Sequence, residues 1–565
     1  MRRDIINFNN KALAEEKMKR SLALLLVIIM AAVCLAGCTD DVVPETTGIS
    51  TSEAPVTDPE TTEPETQEQT TEELTTEEET TEEVTEPVTF DEFVIEPEEG
   101  VNLAVSRVFG DHMVIQRDAK ITVWGTSDKE GAKIRGLFMS DEARGEVVDG
   151  KWEMTFSKKK ATFEPQTLTV DDSCGNTVTI SDILVGDVWL IGGQSNAEIT
   201  LMEYPKIYPD LPYDETKPLR IFQQGARYVI DHKSEMSEPR DDVVNKLWKW
   251  KTASRRASLE FSAVGWFMGN KLVDESGVPI GVVCVCASGS RISELMPKSL
   301  ADQFKYKNNG GNVGVSEYYN AIIHPFIKMK FKAMVFIQGE SESAAGANPS
   351  AKKYSRDLQA LMEEYRKEWG FEFPIYNVQL TDYTAQSLKT GWLNVGYIRA
   401  QQYNVYKNMT GMKLIPTYDI GSDENDPNYM HSPYKEALAK RIANLALAEF
   451  YGKGSVEEAM APEPEEIVVS DDKTYVTVRF KYVGEGLRSL TGDSSFAGFA
   501  FGAVTDLTEA EAEIISKDTV KVYVPEGVKL TGIGYACITH LEKGVGAQLY
   551  SSNDLPALAF YKSFG

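Results

Sequence analysis

Ser195 stands in the stretch LIGGQSNAEI, Leu190 to Ile199, where a short apolar run ends in two glycines and turns into Gln194-Ser195-Asn196. A serine hydroxyl is a weak nucleophile and needs an adjacent base. His431, in DIGSDENDPNYMHSPYK, is a candidate to take its proton and return it to a leaving alcohol. An acyl-transfer site also needs donors already aimed at the oxyanion. The backbone N–H of Ser195, the N–H of Gly289 in ASGSRISE and the side-chain amide of Gln338 in IQGESES are candidates. Glycine suits such a position because backbone must approach the substrate closely. Glu340 invites comparison with a glycosidase acid, but no partner carboxylate in a similar context accompanies it, so it reads as a structural brace.

These residues need elements to hold them, and the chain shows three textures. From about Val101 to Ile180, short alternating runs such as KITVWGTS, GKWEMTFS and NTVTISD predict a small all-β module. From about Asp182 to Tyr451, strands such as DVWLIGG, PIGVVCVCAS, KAMVFIQ and PIYNVQL alternate with amphipathic helices. In the helix predicted over 350–369, Tyr354, Leu358, Leu361, Met362 and Tyr365 share one face. Alternating β and α predicts a parallel sheet covered on both faces. In such sheets ligands bind beyond the C-terminal strand ends, where Ser195, Gly289, Gln338 and His431 all fall. From about Glu463 onward the texture is β again.

The ordered blocks VFGDHMVIQRDAKITVWGTS, LVGDVWLIGGQSN, FSAVGWFMGNKL, YYNAIIHPF, VFIQGESE, YIRAQQ, His431-x-x-x-Lys435 and YSSNDLPALAF resemble the sialate O-acetylesterase family, within the SGNH (GDSL-like) hydrolases. The resemblance covers most of residues 101–565. It implies an α/β fold: an SGNH-hydrolase-like parallel sheet domain at 182–455, flanked by N- and C-terminal all-β modules at 101–181 and 456–565. It also implies that Ser195 is the nucleophile, His431 the base, and Gly289 and Gln338 part of the oxyanion hole. Of the other histidines, His112 and His324 lie in family-like structural blocks, His232 in a charged loop and His540 in the C-terminal module. The family carries an aspartate two or three residues before the histidine; here those positions are Tyr429 and Asn428, and the nearest acid is Asp426. Either Asp426 completes a triad through the Pro427 turn, or Asn428 or a backbone carbonyl orients the ring of a Ser-His dyad. The glycine block also departs from the family's Gly-Gly pair, reading Ser288-Gly289-Ser290.

The expected activity is carbohydrate O-acetyl ester hydrolysis without a cofactor or metal, since no cluster has metal-ligand spacing. The alternatives are a deacetylase of acetylxylan or another plant polysaccharide, and an inactive glycan-binding lipoprotein.

The remaining segments concern location. The stretch MKRSLALLLVIIMAAVCLAGC has a basic start, an apolar core shorter than a membrane-spanning helix needs, and a Leu-Ala-Gly-Cys ending. It resembles a bacterial lipoprotein signal over 1–38, which implies lipidation of Cys38, a membrane partner through that anchor, and an extracellular, cell-surface location. Residues 39–100 are rich in Thr and Glu and cannot offset their ordering entropy by burial, so they read as a tether. From Asp40 to Gly100 there are 22 acidic residues and no Lys or Arg, which leaves about −6 of the −28 formal charge for the rest. No basic stripe appears, which argues against nucleic acid as a partner. Cys174, Cys284, Cys286 and Cys537 show no zinc spacing and read as core residues.

Overall fold

The computed structural model describes residues 92–564 apart from 210, 212, 225–235, 246, 309–312, 344–350, 383–394, 422–430 and 538–547. Cys38, the signal segment, most of the tether, and Asp426 therefore lie outside the described residues.

The site is organised by one long strand, β1 (Thr177–Gly193), which is buried without interruption from Ile183 to Gly193. Such a run belongs in a sheet covered on both faces. Its first half pairs antiparallel with the strand Thr162–Asp172. Its second half lies between β3 (Ile280–Cys286) and β4 (Ala333–Ile337), parallel to both. Outside them run β2 (Leu219–Gln223) on one side, and β5 (Ile375–Val378) and β6 (Met412–Ile415) on the other, all parallel. A short antiparallel strand, Lys251–Thr252, pairs with β2. The whole is a mixed sheet with six parallel strands at its centre, in the order β2-β3-β1-β4-β5-β6. After β1 the chain builds first to one side and then to the other. The crevice at the C-terminal end of β1 is thus the topological switch point at which such sheets bind ligands.

Helices cover the sheet. The four-residue helix α1 (Ser195–Glu198) follows β1. Helix α2 (Ala263–Ser276) is capped by the Ser262 hydroxyl, which accepts from Gly265 N–H, and stops at left-handed Gly277. Helix α3 (Glu340–Ser343) follows β4. In α4 (Tyr354–Trp369), Tyr354, Leu358, Leu361, Met362 and Tyr365 are all buried, the face that the spacing predicts. Helices α5 (Val395–Asn408) and α6 (Lys435–Tyr451) complete the layers.

On the N-terminal side, Leu103–Val105, Ile121–Ser127 and Lys151–Phe156 form a three-stranded antiparallel sheet, while Lys133–Phe138, Asp141–Glu146 and Thr162–Asp172 join the large sheet through β1. The division expected at residues 181 and 182 therefore falls inside a continuous strand. A seven-stranded antiparallel sheet from Glu463–Val469 to Phe560–Ser563 follows α6. It is stitched to the central sheet by Gln379, whose Nε2 donates to Ala559 O at 2.8 Å and whose Oε1 accepts from Ala559 N at 3.1 Å. Arg399 adds a second tie, its Nη1 donating to Ala536 O at 3.1 Å. Cys174, Cys284, Cys286 and Cys537 are buried and free.

Candidate active site

Strand register brings the site together. Gly193 at the end of β1 pairs with Cys286 of β3 on one side and Ile337 of β4 on the other. The three strands end level, so Ser195, Gly289 and Gln338 start from one edge. Gly193 has φ of +128°, and a Cβ there would stand 2.0 Å from Ile337 O. Only glycine allows this approach of β1 to β4 followed at once by the turn into α1. The turn is then anchored from the far side: Ser262 Oγ, the cap of α2, donates to Ala197 O at 2.6 Å.

Ser195 Oγ lies 2.8 Å from His431 Nε2. With Nδ1 carrying the ring proton, the hydroxyl donates to Nε2, which is the geometry of a nucleophile and its base. His431 precedes α6 and arrives from the β6 side of the sheet; Tyr204 Oη donates to its carbonyl at 3.4 Å and to Ser432 O at 3.3 Å. Burial, and then the positive charge of Lys435, push the imidazole down from 6.5 to about 4. At neutral pH the ring is therefore in its basic, proton-accepting form.

Ser195 and His431 line a cavity of about 490 Å³ with Gly289, Gln194, Glu198 and Glu203. Gly289 has φ of +74°. The turn before it is held by Glu198, whose Oε2 accepts from Ser288 N–H at 2.6 Å. Ser341 Oγ donates to Gly289 O at 3.0 Å, fixing the other end of the same turn.

The structure does not bring Gln338 to this cavity wall. Its side chain is fully buried. Nε2 donates to Glu342 Oε2 at 2.6 Å, while Gln194 Oε1 and Ser290 O are 3.4 Å away. The carboxylate four residues on holds the amide in this bond. The Gln338 carbonyl is pinned by Tyr354 Oη at 2.7 Å and Gln402 Nε2 at 3.2 Å. Burial holds Glu342 up to about 7, partly offset by its bonds from Ile292 N–H and Gln338.

Beneath the serine lies a set of side chains to which sequence reasoning assigned no common role. Asn196 Nδ2 donates to Glu340 Oε1 at 2.5 Å, and Lys435 Nζ donates to Asn196 Oδ1 at 2.5 Å. Glu340, expected as a brace, is thus bonded to the residue after the nucleophile. The Gln-Ser-Asn triplet and the lysine four residues after His431 were the only sequence signals for this contact. His112 Nδ1 is 2.6 Å from Asp182 Oδ2, and His324 Nδ1 is 2.7 Å from Arg240 O, so both are engaged in the scaffold. Among the described residues no group of three or more His, Cys, Asp or Glu is placed to hold a metal. Among them, too, no helix is long and apolar enough to cross a membrane.

Residues 185–448 match the carbohydrate esterase family described as sialic acid-specific acetylesterase. A sialate O-acetylesterase of Pongo abelii is 24% identical over 408 residues, covering 65% of this chain and 75% of its own length. The Homo sapiens sialate O-acetylesterase is 23% identical over 407 residues, with the same coverage. Among solved structures, a carbohydrate acetylesterase from Xanthomonas citri superposes with a TM-score of 0.68 at 25% identity, covering 82% of this chain and all of its own. The matched segment, residues 185–448, contains the strand ends, the serine turn and the histidine described above, and it is this segment that is similar to the carbohydrate esterases described as sialic acid-specific acetylesterases.

Proposed function

We propose that the protein hydrolyses O-acetyl esters on a carbohydrate through an acetyl-enzyme formed on Ser195. The observation that carries this reading is the 2.8 Å contact between Ser195 Oγ and His431 Nε2 in an open cavity at the sheet's switch point. The Ser195 oxygen attacks the acetyl carbonyl as its proton passes to His431 Nε2. The tetrahedral oxyanion takes hydrogen bonds from the N–H groups of Ser195 and Gly289, with the Gln338 amide joining only by leaving Glu342. Collapse breaks the ester C–O bond, and His431 returns the proton to the sugar oxygen. Water then attacks the acetyl-enzyme, giving its proton to His431, and acetate leaves as the Ser195 oxygen is reprotonated.

Asp426 belongs to this scheme as the acid that orients His431, or else neutral groups orient it and the pair works as a dyad. The finer layout is proposed with it: an SGNH-type catalytic domain over about 182–455 that shares β1 with the N-terminal β module and is followed by a C-terminal one, tethered by residues 39–100 to a lipid on Cys38 at the outer cell surface.

A second reading of the substrate, a neutral acetylated plant polysaccharide, is favoured by one observation. The described residues lining the cavity include the carboxylates Glu198 and Glu203 and no Lys or Arg. Acetate release from acetylated sialosides and acetylated xylan, compared as kcat/KM, tests both readings. Release from neither would reject the proposal, and a strong preference for one would select it.

A further inference from the structure

Lys435 opens α6, yet a helix N-terminus repels cations because the helix dipole concentrates positive charge there. Its side chain is also 2% exposed, where an ammonium loses its hydration. Neither local helix physics nor packing explains the placement, so the reason lies in what the ammonium touches. Lys435 Nζ donates to Asn196 Oδ1, and Asn196 Nδ2 donates to Glu340 Oε1, both at 2.5 Å. The ammonium only donates and an ionised carboxylate only accepts, so the Asn196 amide has one orientation that satisfies both. Asn196 follows the nucleophile, Glu340 lies two residues after Gln338, and Lys435 lies four residues after His431. The relay therefore spans the ends of β1 and β4 and the start of α6. The space beside these three residues is only about 10 Å³, too small for a sugar, so the lysine acts through its neighbours and not on substrate.

We propose that Lys435 is a positioning residue, whose ammonium, through Asn196 and Glu340, locks the nucleophile turn against the segment that carries His431. The proposal rests on the reading of Ser195 and His431 as the reacting pair. The same charge acts on the base: after burial, Lys435 is the next cause of the depressed proton affinity of His431. Burial pushes Lys435 itself down to about 7, against the pull of Glu340 and Glu203, so it is charged in acid solution. The other charged groups around the pair are Glu198 and Glu203 on the cavity wall and Glu340 behind Asn196. Removing the ammonium should therefore raise the proton affinity of His431 and move the acid limb of activity to higher pH. A lysine that only supported the fold would lower kcat without moving that limb.

The test is the pH dependence of kcat/KM for 4-nitrophenyl acetate hydrolysis by K435M, K435R and S195A. For K435M we expect kcat to fall by at least about tenfold with KM little changed, as slight misplacement of reacting groups does, and the acid limb to shift upward. K435R, which keeps the charge, should hold the limb at the wild-type position and recover part of kcat. Wild-type kcat in K435M, or a fall in kcat with the limb unmoved, would overturn the proposal. If K435M does not fold by circular dichroism, K435Q, which keeps a donor without the charge, is judged by the upward limb shift alone, and an unmoved limb overturns the proposal. An active S195A would instead remove the Ser195–His431 reading itself, whereas an inactive S195A beside a wild-type-like K435M removes only the role of Lys435.

Discussion

Ser195 Oγ and His431 Nε2 meet at 2.8 Å although 236 positions separate the two residues in the chain. The contact is made where β1 turns into α1 and where the segment before α6 returns to the same edge. Burial of the ring, with the nearby Lys435 charge as the second cause, lowers His431 from 6.5 to about 4. A general base works only in its neutral form, and a lowered value keeps it neutral further into acid. We therefore expect kcat/KM to hold from neutral pH down to about pH 5 and to be lost as pH falls through about 4. A midpoint near 6.5 in the pH profile of purified protein would show that the ring is not shielded in this way.

Asp426 is tested beside His431→Ala. If the acid accepts a hydrogen bond from the imidazole Nδ1–H, Asp426→Asn should cost on the order of a thousandfold or more in kcat, as loss of a triad aspartate does. In the sequence Asp426 stands five residues before His431, not two or three, and we expect Asp426→Asn to stay within about tenfold of wild type while His431→Ala is inactive. Steady-state kinetics on the two variants separate triad from dyad.

Gln338 is held by Glu342 at 2.6 Å and is fully buried. Gln338→Ala would leave the Glu342 carboxylate without its amide partner, so a stability loss of about 1–3 kcal/mol is expected, with kcat reduced by no more than about tenfold. Removing a donor that bonds the oxyanion costs about a hundredfold to a thousandfold in kcat. A loss of that size with unchanged thermal stability would show that the amide turns toward the serine during catalysis.

Membrane attachment depends on Cys38 in the lipoprotein reading. Cys38→Ala should move the protein from the membrane fraction to the soluble fraction on cell fractionation. Continued membrane partitioning would point to an uncleaved apolar helix in place of a lipid.

How much of this was legible in the sequence follows from the range of each interaction. Ser195, Gly289 and His431 could be grouped because a parallel sheet sends its strand ends to one edge and because glycines mark where backbone turns sharply. The exposed-looking Lys435 could not be assigned, since its partner Asn196 is 239 positions away and nothing local to a helix start calls for a buried cation. Gln338 looked like an oxyanion donor because spacing does not reveal competition from the carboxylate four residues on. The boundary at 181 and 182 was read from a change in texture, but β1 runs straight through it, because one strand can serve an antiparallel ladder at its start and a parallel one at its end. Asp426 stays an expectation from spacing, as 422–430 lie outside the described residues.

The central claim is that Ser195 carries the acetyl group. It is tested most directly by incubating wild-type protein and Ser195→Ala with 4-nitrophenyl acetate, following turnover and the mass of the intact protein. The account predicts a transient mass increase of one acetyl group on wild type, mapped to the peptide containing Ser195. It predicts a folded Ser195→Ala protein with neither the adduct nor turnover, its kcat down by more than about a thousandfold. Activity in Ser195→Ala within tenfold of wild type, or an acetyl adduct on another residue that is chemically competent for turnover, would contradict it.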